Sequence, residues 1–96
     1  EIINVGGEKV LPVEIESVLL RHEIVSDALV KGVANALTGQ TVLAEIVLKP
    51  GVDSKKAKKI LRRYCGEIMA PYKVPTKFCF VDAVNYSSRF KKKRLD

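Results

Sequence analysis

The stretch Thr41 to Leu48, TVLAEIVL, is rich in aliphatic and β-branched residues and carries a single charge. A half-exposed strand would alternate apolar with polar positions, so this run reads as a central strand covered on both faces. On its N-terminal side, residues 25–33 (VSDALVKGV) have the same character and read as a second strand. On its C-terminal side Pro50-Gly51 makes a turn. Asp53 or Ser54 then caps a helix, in which Ala57, Ile60, Leu61, Cys65 and Ile68 recur at three- and four-residue steps as the apolar stripe. The outer face of that helix carries Lys55, Lys56, Lys58, Lys59, Arg62 and Arg63, a charge run expected to be solvated.

Further from the centre, Ile2 to Val5, Gly6-Gly7 and Glu8 to Leu11 read as a short hairpin, because adjacent glycines supply the positive φ angles of a two-residue turn. Pro12 suits the first position of a helix whose apolar face is Ile15, Val18 and Leu19, with Glu14 and Glu16 near the positive end of its dipole. His22 follows at the end of this helix and is expected to cap it. In APYKVP, residues 70–75, two prolines restrict the residue before each and interrupt regular structure. Thr76 to Val81 then alternates Phe78 and Phe80 with Lys77 and Cys79, the pattern of a strand with one buried face. The expected fold class is α+β: an N-terminal β-hairpin and a small sheet of about three strands flanked by helices.

Ninety-six residues, 47% apolar and 29% charged, make one domain with a modest core, and residues 1–96 show no internal linker or repeat. No run of about eighteen apolar residues is present to cross a bilayer, and the start does not resemble a signal peptide, so a cytoplasmic setting is expected. Cys65 and Cys79 each sit among apolar neighbours and read as buried free thiols; no histidine cluster joins them, and no metal site is expected. The net charge is +6, of which residues 1–84 hold +2 and the last twelve +4. The tail Asn85 to Arg94, NYSSRFKKKR, packs five cations into ten residues. By its residues alone it is a solvated tail, a grip on phosphate or the setting of one catalytic lysine. With little excess charge elsewhere and only Tyr86 and Phe90 near the tail, specific nucleic-acid binding is not expected.

Five segments in order resemble one known family. Ile2 to Glu16 (IINVGGEKVLPVEIE), DALVKGV, GQTVLAEIVLKPG, Met69 to Thr76 (MAPYKVPT) and FVDAVN are similar to the C-terminal domain of the adenylate-forming superfamily, above all the AMP-forming acyl-CoA synthetases. The likeness covers nearly the whole chain. It implies a mobile domain of a larger enzyme, whose large N-terminal domain lies outside this chain, and it implies that the domain alone is inactive. ATP, Mg²⁺ and CoA are the cofactors it implies for the full-length enzyme, none of them bound by this domain by itself, with a small carboxylic acid as substrate.

Carried residue by residue, the resemblance places the adenylation lysine at Lys91, with Lys92 one register away, and an arginine at Arg94; Asn85 stands where the family has proline and Phe90 where it has glycine. It places Gly6, Gly7 and Lys9 beside the thiol path, where Gly7 serves as a channel wall or simply as a turn residue. Lys73, Arg62 and Arg63 are further candidates for the CoA phosphates. Two alternatives stay open: an adenylation domain that loads a carrier protein, with the basic helix facing an acidic partner, and a non-enzymatic basic module that binds nucleic acid or an anionic membrane through charge.

Overall fold

The structure, a computed structural model, describes residues 1–82. In chain order the elements are β1 (Ile3–Val5), β2 (Glu8–Val10), α1 (Pro12–Leu20), β3 (Val25–Asn35), β4 (Gly39–Leu48), α2 (Ser54–Ile68), a 3-10 turn (Pro71–Lys73) and β5 (Lys77–Phe80). The expected elements are all present. The hairpin joins the sheet rather than standing apart from it, so the sheet has five strands in the order β2-β1-β4-β3, with β5 also on β4. β3 pairs antiparallel along β4 from Asn35↔Gly39 to Val25↔Leu48, with a register shift between Val25 and Asp27. The other edge of β4 is shared: β1 meets it at Val5↔Gly39, and β5 runs parallel to it from Leu43↔Lys77 to Ile46↔Phe80. Backbone bonds from Thr76 to Val42 and from Val81 to Ile46, both 2.9 Å, extend the parallel ladder at each end.

Alternation along β4 decides where the core sits. Val42, Ala44 and Ile46 belong to one cluster with Ala28 and Val30 of β3, Ile3 and Val10 of the hairpin, Ile15 and Leu19 of α1, and Leu61 and Cys65 of α2. Both helices therefore lie on this face. The opposite face carries Thr41, Glu45 and Val47, also buried. Val47 packs with Leu29 and Val81, the Thr41 and Thr76 hydroxyls are 2.8 Å apart, and Lys31 Nζ is 3.8 Å from Glu45. The run that reads as apolar on both sides thus buries one apolar face under helices and one mixed face, with a carboxylate in it.

Pro12 opens α1 as expected, and Ile15, Val18 and Leu19 are its buried residues. Glu14 lies in the first turn, but Glu16 does something the helix pattern could not show: its carboxylate accepts the Val30 N–H at 2.8 Å, satisfying a donor of β3, an edge of the described sheet. His22 does not supply the cap. Arg21 holds that position, while the His22 imidazole accepts the Ile24 N–H at 3.2 Å and meets the Tyr64 ring edge-on at 4.7 Å. The Tyr64 hydroxyl donates to the Val18 carbonyl at 2.7 Å and ties α2 to α1.

Asp53 caps α2, accepting the Lys55 N–H at 3.0 Å. The buried stripe of α2 is narrower than its apolar spacing suggests: Ala57, Leu61 and Cys65 are covered, whereas Ile60 is 44% and Ile68 48% exposed. A helix laid on a sheet buries the residues facing it, here at strict four-residue steps, and leaves those on its flanks and at its end half in water. Cys79 is the other correction. It is exposed, because the alternation of β5 turns Phe78 and Phe80 toward the core and Lys77 and Cys79 away from it. Pro71 does not exclude regular structure either; it starts the 3-10 turn, where its missing N–H costs nothing.

Two measurements check this packing. Leu61→Ala is expected to destabilise the domain by about 2–5 kcal/mol, while Ile60→Ala, one residue away, shifts stability by about 0.5 kcal/mol; urea unfolding of both variants reads the difference, and equal effects would place the stripe wrongly. Burial pushes the Cys65 thiol up to about 11. In the unfolded chain the thiol ionises from pH 9.0, so the contribution of Cys65 is whole below that pH and is lost as pH rises toward about 11. A thiol reagent near neutral pH is accordingly expected to modify Cys79 in the folded protein and Cys65 only after denaturation.

Candidate functional site

The hairpin places Gly6, Gly7 and Lys9 together at one end of the sheet. Gly6 has φ 57° and Gly7 φ 92°, the paired positive angles of a two-residue turn that matches strand twist. A Cβ on Gly7 would meet no atom of this domain within 4 Å, so inside the domain it is the backbone angle that calls for glycine. Lys9 lies opposite Asn4 in the ladder and is exposed.

Residues that sequence reasoning did not single out hold this tip. The Asn4 carboxamide accepts the Gly7 N–H at 2.9 Å, closing the turn from within. The Gly6 N–H donates to the Thr38 carbonyl at 2.8 Å, and the Asn4 N–H donates to Gln40 Oε1 at 2.8 Å. Thr38 lies in the turn between β3 and β4, which is itself organised by Asn35: its carboxamide oxygen accepts from the Leu37 and Thr38 N–H groups at 2.9 and 3.1 Å. Gly39 follows at φ 84°, the left-handed residue that ends a three-residue hairpin loop. Asn-x-x-Thr-Gly in a turn was a legible local signal; its contact with a glycine pair more than thirty residues earlier was not.

The basic candidates prove to be largely engaged. Lys73 Nζ donates to both oxygens of Glu14 at 3.0 and 3.2 Å, which pins the 3-10 turn to α1 and holds the ammonium above its usual range. Arg62 donates to the Thr76 carbonyl at 3.4 Å, with its guanidinium 5.7 Å from the centre of the Phe78 ring. Arg63 and Glu67 form an exposed pair one turn apart at 3.4 Å. Lys55, Lys56, Lys58 and Lys59 are exposed, so α2 does present a basic outer face.

At the other end of β4 an open groove of about 560 Å³ is lined by Ser26, Lys49, Ser54, Phe80 and Asp82, among others. Lys91, with Lys92, Arg94, Asn85 and Phe90, lies outside the described residues. β5 leaves β4 at Ile46, seven residues along from the hairpin's contact at Gly39, or about 23 Å. Among the described residues no group of three His, Cys, Asp or Glu side chains is gathered to hold a metal ion, and no helix is long and apolar enough to cross a membrane.

Comparison with known proteins places the fold in a family. Residues 14–91 match the family model of the AMP-binding enzyme C-terminal domain. The 2-succinylbenzoate–CoA ligase of Geobacillus kaustophilus is 45% identical over 82 residues, covering 85% of this chain and 16% of the relative. The oxalate–CoA ligase of Saccharomyces cerevisiae is 40% identical over 82 residues, covering 85% of this chain and 15% of the relative. Among solved structures, the o-succinylbenzoate CoA synthetase of Bacillus subtilis, in complex with its acyl-adenylate intermediate, superposes with a TM-score of 0.74 at 40% identity, over 84% of this chain and 16% of that one. The chain thus spans about a sixth of the length of these relatives. With the model matched over most of its length and the fold shared, this chain belongs to the AMP-binding enzyme C-terminal domain family.

Proposed function

We propose that this chain is the mobile C-terminal domain of an AMP-forming acid–thiol ligase of the acyl-CoA synthetase type, acting with a large N-terminal domain of the same enzyme. The observation that carries the reading is the family match through residue 91, taken with relatives that join acids to CoA. In the first half-reaction a carboxylate oxygen attacks the α-phosphorus of ATP and pyrophosphate leaves. Two anions must approach one another, and the Lys91 ammonium offsets the charge that grows between them without exchanging a proton. Mg²⁺ accompanies the nucleotide, and no residue of this chain is assigned to it.

In the second half-reaction the thiol sulfur of CoA attacks the acyl carbon and AMP leaves. Rotation of the domain withdraws Lys91 and brings the Gly6-Gly7 tip, with Lys9, to the thiol path. The exposed cations of α2 favour a second reading, in which the acceptor thiol belongs to an acidic carrier protein.

For the first reading, Lys91→Ala in the full-length enzyme is expected to slow acyl-adenylate formation by about 10²- to 10³-fold while largely sparing thioester formation from supplied adenylate; equal loss in both halves, or in neither, removes Lys91 from its role. For the second, Lys55→Glu combined with Lys59→Glu is expected to slow transfer to an acidic carrier protein by about tenfold at low salt, an effect that shrinks as salt screens the charges. Transfer to CoA alone, with no use of a carrier, rejects it.

A further inference from the structure

β1 touches β4 at a single register pair, Val5↔Gly39, so little of the main-chain ladder fixes the hairpin to the sheet. A side chain does part of that work. Gln40 Oε1 accepts the Asn4 N–H, and the Asn4 carboxamide in turn accepts the Gly7 N–H, so a chain of two 2.8–2.9 Å bonds runs from β4 to the tip.

The Gln40 carboxamide can lie there because of Gly32. A Cβ at position 32 would stand 2.8 Å from Gln40 Nε2 and 3.1 and 3.2 Å from two carbons of Ile3. Unlike Gly6, Gly7 and Gly39, Gly32 is not among the glycines with positive φ, so its missing side chain serves space and not backbone angle. Gly32 on β3, Gln40 on β4 and Ile3 and Asn4 on β1 therefore form one joint.

We propose that Gln40 and Gly32 are positioning residues for the thiol half-reaction: they set where the Gly6-Gly7 tip is held, and neither touches substrate. The proposal deepens the thiol-path reading of the tip and rests on it. Without the Gln40 bond the Asn4 N–H turns to water, the tip gains freedom and the thiol path loses a fixed wall. The domain's core, built on Ile3 and Val10, is left in place.

The test uses the full-length enzyme and measures the halves separately, with pyrophosphate exchange for adenylation and supplied acyl-adenylate plus CoA for thioester formation. Gln40→Ala is expected to raise the KM for CoA by about 3- to 10-fold, the loss of one neutral hydrogen bond, with pyrophosphate exchange changed less than twofold. Gln40→Glu keeps an acceptor oxygen and is expected to recover most of the loss. Gly32→Ala displaces the same carboxamide and also crowds Ile3, so the double variant with Gln40→Ala is expected to be no worse than Gly32→Ala alone. Equal slowing of both halves, additive losses, or no change in the KM for CoA overturns the proposal. Gly7→Asn separates the two levels: asparagine tolerates positive φ, and a Cβ at this position meets no atom of the domain within 4 Å. If it slows thioester formation while Gln40→Ala does not, the positioning role fails alone; if neither does, the thiol-path reading fails as well.

Discussion

Every long-range feature of this domain depends on β4 having both edges occupied. One edge is taken by β3 over ten residues, and the other is divided between β1 at its start and β5 further along. The β3 pairing closes a three-residue loop and is local. The β1 and β5 pairings bring residues more than thirty positions away to the same edge, and their loop-closure entropy must be recovered by what they bury. Ile3 and Val10 recover it for the hairpin, and Phe78 and Phe80, packed beside the core, contribute for β5. The core face of β4 is thus where hairpin, helices and final strand all meet.

That arrangement gives the two ends of the domain different characters. The hairpin end is a surface of turns, in which glycines at positive φ and short carboxamide bonds define a tip with almost no side chain on it. The far end, where β5 leaves β4, is an open groove lined by polar and apolar side chains, among them Ser26, Lys49, Phe80 and Asp82. The proposed rotation, which would bring the Gly6-Gly7 tip to the thiol path, needs the sheet to move as one rigid body.

Charge is used sparingly in holding the domain together, and mostly to join elements. Glu14 takes Lys73, Glu16 takes a main-chain N–H of β3, and Lys31 approaches the buried Glu45. Exposed pairs contribute little to stability; their effect here is to fix the 3-10 turn and α1 relative to the sheet. The lysines of α2 remain on the surface, which is why the basic face persists as a candidate for an acidic partner although Lys73, Arg62 and Arg63 make contacts within the domain.

The sequence by itself determined the element order, the glycine-pair hairpin, the Pro12 helix start, the second helix start to within one residue (Asp53 or Ser54) and the family, because each rests on neighbours a few residues apart or on segments that keep their order. It also set Gly6, Gly7 and Lys9 on one hairpin, since they are neighbours in the chain. Only the tertiary structure decided that Ile60 and Cys79 face water, that His22 meets the edge of Tyr64 instead of capping α1, and that Gln40 reaches Asn4 through the space at Gly32. Those outcomes depend on which residue a distant strand or helix sets opposite. A periodicity names the face a residue lies on, but what covers that face is settled by chain segments far away in sequence.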